Sequence, residues 1–242
     1  MRNLSISLLA ACLVLAGCQS KKTITDFETT TKDSVFRSTI TTGQFIKLSQ
    51  GFTYYDWNNP QADTVLVLVH GFSVPSYIWD STFYAASKRG YSTLRYDNFG
   101  RGFSDNPEAV YDVALFTNQL HELLDSLKIT KPITLVGLSD GGRAISSYAA
   151  QFPTRVKNLV YVDAVGFENP VENPQHPAAV TEKEIEEFKG SENYPKMGKG
   201  QLSDFYDSIP FRGWDKRYED IMKLKGFVRA IISTRKNRTP LV

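Results

Sequence analysis

The pattern of hydrophobic and polar positions divides the chain into five stretches. Residues 4–16 form an apolar run, and residues 19–42 are polar without a regular period. In residues 43–165, short apolar runs alternate with stretches whose apolar positions recur at helical spacing. Residues 166–235 show only helical patterns, and residues 236–242 form a short polar tail. The chain is therefore predicted to carry one folded unit behind a leader and a flexible tether.

The middle stretch predicts strands and helices in alternation. The run 64–69 is β-branched and aliphatic throughout, which is typical of a central strand covered on both faces. The predicted strands are 44–49, 52–57, 64–69, 91–96, 133–138 and 156–162, and the predicted helices are 77–89, 110–127 and 141–151. Such alternation favours a mostly parallel α/β sheet with helices on both faces, and the first two strands form an antiparallel pair.

After Gly166 the pattern changes. Residues 167–180 contain three prolines and two asparagines, and helical patterns follow at 182–188, 201–206 and 214–233 without a strand pattern among them. We therefore expect a helical layer over the sheet, with the basic stretch 229–238 as a solvated helix end.

The first 18 residues resemble a bacterial lipoprotein signal. Arg2 precedes the apolar run 4–16, which is shorter than the roughly 20 residues that a membrane span needs. The run ends in Leu15-Ala16-Gly17-Cys18, which is similar to a lipobox. The resemblance implies that Cys18 is lipidated and that the exported domain is anchored to a membrane of the bacterial cell envelope. An ordinary secretory signal is the alternative.

Composition excludes several classes of protein. A chain of 242 residues with 41% hydrophobic and 22% charged residues is typical of a soluble globular domain, and a net charge of +2 argues against a nucleic-acid partner. The two cysteines, Cys12 and Cys18, both precede the folded stretch, so a disulfide framework, a thiolate metal site and a cysteine nucleophile are not expected. No dinucleotide-binding glycine motif or metal-ligand cluster is evident, so no cofactor is expected.

The strongest chemical signal is Gly137-Leu138-Ser139-Asp140-Gly141. It lies between a predicted strand and a predicted helix, where a sharp turn presents the serine hydroxyl above the carboxyl end of the sheet. Glycines two positions before and after Ser139 remove side chains that would clash in that turn. An ordinary glycine-rich turn is the alternative interpretation.

Two further motifs extend this signal. His70-Gly71-Phe72 follows the strand 64–69, and the segment from Asp97 to Ser104 has the form D-x-x-G-x-G-x-S after the strand 91–96. Together the three motifs resemble the serine-nucleophile branch of the α/β-hydrolase family over roughly residues 43–235. The resemblance implies a doubly wound sheet that usually has eight strands, of which about six are predicted here, with a helical cap.

The same resemblance assigns roles to residues. Ser139 would be the nucleophile, and the backbone N–H groups of Phe72 and Asp140 would form the oxyanion hole. His70 would brace the oxyanion loop without transferring the proton, and the Asp97 loop would buttress the site.

The sequence departs from the family in its later elements. The family places an acid and then a histidine after the nucleophile, but His121 precedes Ser139 and His176 lies in the proline-rich segment. Asp163 follows the strand 156–162, where a minority of the family carries the acid, and it is kept as a weak candidate. We therefore expect the acid and the histidine beyond residue 242, in a sequence truncated at its C-terminus, with 156–162 as an edge strand.

The sequence thus predicts a serine hydrolase that acts on a small-molecule ester or a related acyl or carbon–carbon substrate. A membrane-tethered binding protein without the base, or an inactive fragment, is the alternative. Dehalogenase-like and epoxide hydrolase-like sites are disfavoured because those relatives use aspartate at the position of Ser139.

Overall fold

A six-stranded sheet forms the centre of the molecule. The computed structural model describes residues 26–167, 177–203, 205–238 and 240. Its strands lie in the order β1-β2-β4-β3-β5-β6, with β2 antiparallel to both neighbours and β4, β3, β5 and β6 mutually parallel. They are β1 (Gln44–Leu48), β2 (Gly51–Asn58), β3 (Val65–Val69), β4 (Ser92–Tyr96), β5 (Ile133–Leu138) and β6 (Val156–Val162). The predicted mostly parallel α/β fold is confirmed.

The aliphatic run of β3 explains its central place. Val67 pairs with Leu94 of β4 on one side and with Leu135 of β5 on the other, and all three side chains are fully buried. A strand that is covered on both faces buries the side chains at all of its positions, which is why its sequence does not alternate between apolar and polar residues.

Helices cover both faces and one end of the sheet. They are α1 (Ser34–Thr39), α2 (Asp80–Lys88), α3 (Val113–Ser126), α4 (Gly141–Gln151), α5 (Glu182–Lys189), α6 (Met197–Gly200), α7 (Trp214–Met222) and α8 (Phe227–Lys236). Side-chain caps begin several of them: the Asp112 carboxylate accepts from Leu115 N–H at α3, and Thr181 with Glu184 forms a capping box at α5. The predicted helix 77–89 is divided: a 3₁₀ turn, Ser76–Trp79, precedes α2.

The cap differs from the predicted pattern in two places. The predicted helix 201–206 is wrong. Helix α6 ends at Gly200, and residues 201–203 form a turn. The predicted helix 214–233 is two helices, α7 and α8. Gly226 starts α8 with a left-handed φ of 86°, which an L side chain rarely adopts.

Residues 26–40, called the arm below, pack against the folded unit. The Phe27 ring lies 5.2 Å from that of Tyr194, and Glu28 forms an ion pair of 2.7 Å with Lys189 of α5. Thr30 pairs with Leu224 between α7 and α8. Over these residues the structure differs from the predicted tether, since widely spaced apolar residues are enough to dock an extended segment. Residues 19–25 lie outside the described part.

Buried side chains form a main core, a second cluster under the cap and a small third cluster of Leu68, Trp79 and Phe83. The main core joins the sheet to α3 and α4, whereas the second cluster joins α5, α7 and α8 to the loop after β3. The cap is thus a packed layer with its own apolar contacts. Within the described ranges, no helix is long and apolar enough to cross a membrane.

Candidate active site

Ser139 occupies a strained turn between β5 and α4. Its φ is +50°, a left-handed backbone conformation that residues other than glycine adopt only at an energetic cost. Hydrogen bonds hold the turn: Ser139 N–H donates to the Val162 carbonyl at 3.0 Å, and the Ser139 carbonyl accepts from Gly142 and Val165 at 2.9 and 3.2 Å. The predicted strand–turn–helix setting of the motif is therefore present.

The motif's glycines are required by close backbone approach. A β-carbon on Gly137 would lie 2.8 Å from the carbonyl oxygen of Gly141, and one on Gly141 would lie 2.5 Å from that of Val69. The turn at Ser139, called the elbow below, can therefore lie directly against the end of β3 only while both positions lack a side chain.

The loop after β3, which contains Gly71 and Phe72, touches the elbow. A β-carbon on Gly71 would lie 3.1 Å from the β-carbon of Ser139. This contact places the loop that contains Phe72 beside the serine. The backbone of Asp140 follows Ser139 directly and enters α4 with helical φ and ψ.

His70 stabilises this loop through hydrogen bonds of both ring nitrogens. Its buried ring donates from Nδ1 to the Gly71 carbonyl at 2.9 Å and accepts at Nε2 from Asn98 N–H at 2.9 Å. Burial lowers the pKa of His70 to about 3, so the imidazole is neutral at physiological pH. Both ring nitrogens are thereby engaged away from the Ser139 hydroxyl.

The loop after β4 is hydrogen-bonded to the segment that follows β3. The Asp97 carboxylate accepts from Ser76 N–H and Phe103 N–H, each at 2.8 Å, and Ser104 donates its hydroxyl to the Asp97 carbonyl at 2.5 Å. Burial raises the pKa of Asp97, and the two N–H donors oppose that shift. A β-carbon on Gly102 would lie 2.0 Å from the Asp97 carboxylate, so this loop closes tightly around it.

Arg101 connects this loop to the oxyanion loop and to the cap. Its fully buried guanidinium donates to the Phe72 carbonyl, to the Gly100 carbonyl at 3.1 Å and to the Thr234 hydroxyl at 2.9 Å. These acceptors are neutral, and burial lowers the pKa of Arg101 to about 10. Arg101 therefore fixes the peptide of Phe72 relative to α8.

A guanidinium from the tail that follows α8 also reaches the elbow. Arg238 donates from Nε and Nη2 to the Asp140 carboxylate at 3.0 and 2.7 Å, and its guanidinium lies 4.3 Å from the centre of the Phe72 ring. Arg143 lies 3.4 Å from the same carboxylate. The sequence analysis missed this pairing, because it interpreted residues 229–238 as a solvated helix end.

The other predicted residues lie elsewhere. His121 stacks on Phe152 at a centroid distance of 4.0 Å and lies 3.4 Å from Asp125, on α3 rather than at the elbow. Asp163 is exposed just after β6, with a left-handed φ of 44°. His176 and the lipidation candidate Cys18 lie outside the described residues. The structure thus joins Ser139 to the Phe72 loop, but the described residues bring no histidine to the serine.

Small cavities lie against the elbow. Two of about 30 and 20 Å³ share Asp140, Phe116 and Thr234 in their walls, and Arg238 lines the larger of them. A cavity of about 190 Å³ lies apart from the elbow, between Tyr54, Tyr77 and α7. In the described ranges, no three histidine, cysteine or acidic side chains cluster as metal ligands would.

Comparison with known proteins identifies the fold family. Residues 64–206 match the family model of the alpha/beta hydrolase fold. The chain belongs to this family. The match includes the turn at Ser139, the loop after β3 and the loop after β4, so the predicted α/β-hydrolase fold family is confirmed.

Individual relatives are similar over part of their length. A cis-3-alkyl-4-alkyloxetan-2-one decarboxylase of Shewanella oneidensis is 35% identical over 120 residues, covering 48% of this chain and 37% of that protein. Lipase 1 of Psychrobacter immobilis is 35% identical over 114 residues, covering 47% and 35%. The alignments thus span less than two fifths of either relative.

Solved structures share the fold. An esterase from Exiguobacterium antarcticum superposes with a TM-score of 0.61 at 21% identity, over 81% of this chain and 74% of that chain. At this identity, the likeness establishes the α/β-hydrolase fold and leaves the substrate open.

Proposed function

We propose that this chain is the nucleophile-bearing part of a serine hydrolase, with Ser139 as the nucleophile. The carrying observation is the left-handed φ of +50° at Ser139, in a turn that the Gly71 loop contacts directly. Backbone strain of this kind persists where the surrounding structure enforces it, and it clusters at functional sites. The strain presents the hydroxyl at the carboxyl end of the sheet, where a substrate can reach it.

The oxyanion hole is assigned to the N–H groups of Phe72 and Asp140. Arg101 donates to the Phe72 carbonyl, which restrains the peptide that follows Phe72 and so supports the loop that carries the Phe72 N–H. The Asp140 N–H begins α4, so the helix dipole adds to its stabilisation of a developing negative charge.

The general base is the part of the triad that the described residues do not supply. A serine hydroxyl needs such a base to lose its proton. We propose that a histidine and its acid partner follow residue 242 in the complete protein, with Asp163 as a weaker candidate for the acid. Without the base, the oxyanion hole and binding alone would leave about 10³–10⁴-fold acceleration over water.

Labelling with a fluorophosphonate probe tests the nucleophile directly. In the 242-residue chain we expect slow labelling at Ser139, faster labelling when imidazole is added as a substitute base, and none in Ser139→Ala. Ser147→Ala is the matched control, because Ser147 lies on α4 away from the turn. No labelling in a cooperatively folded sample, even with imidazole, would leave the membrane-tethered binding protein as the better assignment.

We further propose a small ester or related acyl or carbon–carbon substrate. The names of the relatives, a lipase, an esterase and a decarboxylase, place such chemistry in proteins of this fold. A small ester substrate implies a short acyl group. Hydrolysis of nitrophenyl esters of increasing chain length, with imidazole present, should fall as the chain lengthens; a preference for long chains would contradict this assignment.

Cys18 is proposed as the lipid attachment site of an envelope-anchored protein. The apolar run 4–16 and the Leu15-Ala16-Gly17 sequence before the cysteine support this assignment. In a bacterial host, Cys18→Ser should abolish palmitate incorporation and release the protein from the membrane fraction. Cys12→Ser should leave both unchanged, and equal loss in the two variants would contradict the assignment.

A further inference from the structure

An open depression of about 270 Å³ lies at the edge of the molecule, far along the sheet from the elbow. Three lysines from separate segments line it: Lys32 of the arm, Lys47 of β1 and Lys225 between α7 and α8. Asn106 contributes to its wall, and none of the residues assigned to the oxyanion hole does. We call these three lysines and the space between them the lysine pocket.

The ammonium group of Lys32 is held by neutral acceptors. It donates to the Ser104 carbonyl and to Oδ1 of Asn106 at 2.8 Å. Among the described residues, no carboxylate lies within ion-pair distance of its Nζ. An ammonium has three N–H donors, so these bonds leave one donor for a further acceptor. Burial lowers the pKa of Lys32 to about 7, although Asp105 and Asp97 raise it.

The acidic side chain in the pocket wall, Asp105, already accepts hydrogen bonds from other groups. Asp105 accepts from Arg37 at 3.0 Å through Oδ1 and from Phe52 N–H at 2.8 Å through Oδ2. Lys47 and Lys225 are exposed and form no ion pair with any described carboxylate. Since Arg37 balances the charge of Asp105, the exposed Lys47 and Lys225 give the pocket net positive charge even before Lys32 is counted.

We propose that the lysine pocket binds a phosphate group through Lys32, Lys47 and Lys225. A phosphate has several acceptor oxygens and can meet three ammonium groups at once, and lysine binds it as a point charge. Its charge would compensate the ammonium of Lys32, which has only neutral partners in the fold. The group could belong to free phosphate or to the headgroup of an anionic lipid.

Occupancy of the pocket would join the arm, the core and the cap. The arm is already paired with the cap through Thr30, whose N–H donates to the Lys223 carbonyl and whose carbonyl accepts from Lys225 N–H, both at 2.9 Å. Asn106 Nδ2 donates to the Lys225 carbonyl at 2.7 Å. A ligand that contacts lysines on three segments stabilises their docked arrangement, and its binding should therefore raise the melting temperature.

Calorimetric titration of the full chain with inorganic phosphate, at constant ionic strength, is the first test. We expect saturable binding with a rise in melting temperature, and about tenfold weaker binding for each lysine removed. Lys225→Gln is the decisive variant, because the backbone of Lys225 holds the arm and its side chain is exposed. Lys32→Met is the second variant. The control is Lys131→Met, whose ion pair with Asp63 lies outside the pocket.

Vesicle flotation separates the two sources of phosphate. The Cys18→Ser chain is mixed with phosphatidylcholine vesicles, with or without phosphatidic acid. Flotation that needs phosphatidic acid, is lost in Lys225→Gln and is competed by phosphate would assign a lipid headgroup. Binding of inorganic phosphate without flotation would assign a free phosphate compound. Absence of both, or binding that is equal in wild type and Lys225→Gln, would overturn the proposal.

Discussion

A β-carbon placed on Gly71 would lie 3.1 Å from the β-carbon of Ser139 and 3.7 Å from its hydroxyl oxygen. The loop after β3 and the turn at Ser139 are therefore in contact, and a methyl group between them would require one of them to shift by a few tenths of an ångström. The loop follows β3 and the turn follows β5. Since β3 and β5 are paired neighbours in the sheet, their pairing sets the distance between the two motifs.

Gly71→Ala is expected to impair the site more than the fold. The new methyl group would lie 3.1 Å from Ser139 and 3.2 Å from the Leu138 carbonyl oxygen, so the loop must shift by a few tenths of an ångström and Phe72 N–H moves with it. Complete loss of one oxyanion donor costs about 100-fold in rate, so we expect a decrease of up to about that size. The rate of fluorophosphonate labelling in the presence of imidazole measures this. Gly200→Ala is the control, since nothing lies within 4 Å of the added β-carbon. Equal labelling of Gly71→Ala and wild type would contradict the proposed geometry.

Gly141→Ala is expected to destabilise the fold itself. Its β-carbon would lie 2.5 Å from the Val69 carbonyl oxygen and 2.8 Å from that of His70, and backbone atoms cannot turn away. Overpacking of this kind costs about 3 kcal/mol. Urea denaturation should show a lower midpoint with an unchanged m value. A variant as stable as wild type would mean that α4 can shift away from β3.

The elements nearest the nucleophile could be predicted from the sequence with little error. The bounds of β5, α4 and β6 match their predictions, because each is set by local features: an aliphatic run, a glycine–serine turn, and apolar residues at helical spacing. The turn at Ser139 is likewise encoded by glycines that lie within two residues of it. Local sequence was sufficient here because the physical cause of each element was local.

The cap and the arm could not be predicted in this way. The break between α7 and α8 coincides with the pairing of Leu224 with Thr30, which lies far away in sequence. The contact of Arg238 with Asp140 likewise joins residues 98 positions apart. Hydrophobic periodicity describes the environment of one segment and carries no information about its partner, so these contacts had no signal in the pattern.

The burial of His70 predicts a loss of stability in acid. Its pKa is about 3 in the folded chain, whereas an unfolded histidine has a pKa of about 6.5. Below pH 6.5 the unfolded state binds the proton that the folded state excludes, so stability falls as pH falls from 6.5 towards 3. The slope from this residue approaches about 1.4 kcal/mol per pH unit.

His70→Gln isolates that contribution. The amide keeps a polar partner for Asn98 N–H but does not titrate, so the variant should be less stable than wild type near neutral pH and should approach it in acid. Urea denaturation at a series of pH values between about 7.5 and 4.5 measures both curves. Parallel curves would show that His70 does not set the pH dependence in this range.

The outer edge of β6 predicts self-association of the 242-residue chain. The side chains of Val160, Tyr161 and Val162 are 42%, 39% and 38% exposed, and β6 pairs only with β5 in the described sheet. A row of unpaired backbone groups flanked by exposed apolar side chains is a template for pairing with another chain. We therefore expect concentration-dependent association in sedimentation velocity experiments.

Val160→Lys should reduce that association, because a lysine on an edge strand disfavours pairing between two copies. The substitution is placed on a side chain that is already partly exposed, so the fold should be retained. Val35→Lys is the matched control: Val35 is 71% exposed but lies on α1, where no strand edge is available. If both variants reduced association equally, general surface charge rather than the β6 edge would be responsible, and if neither did, the contact between copies would lie elsewhere.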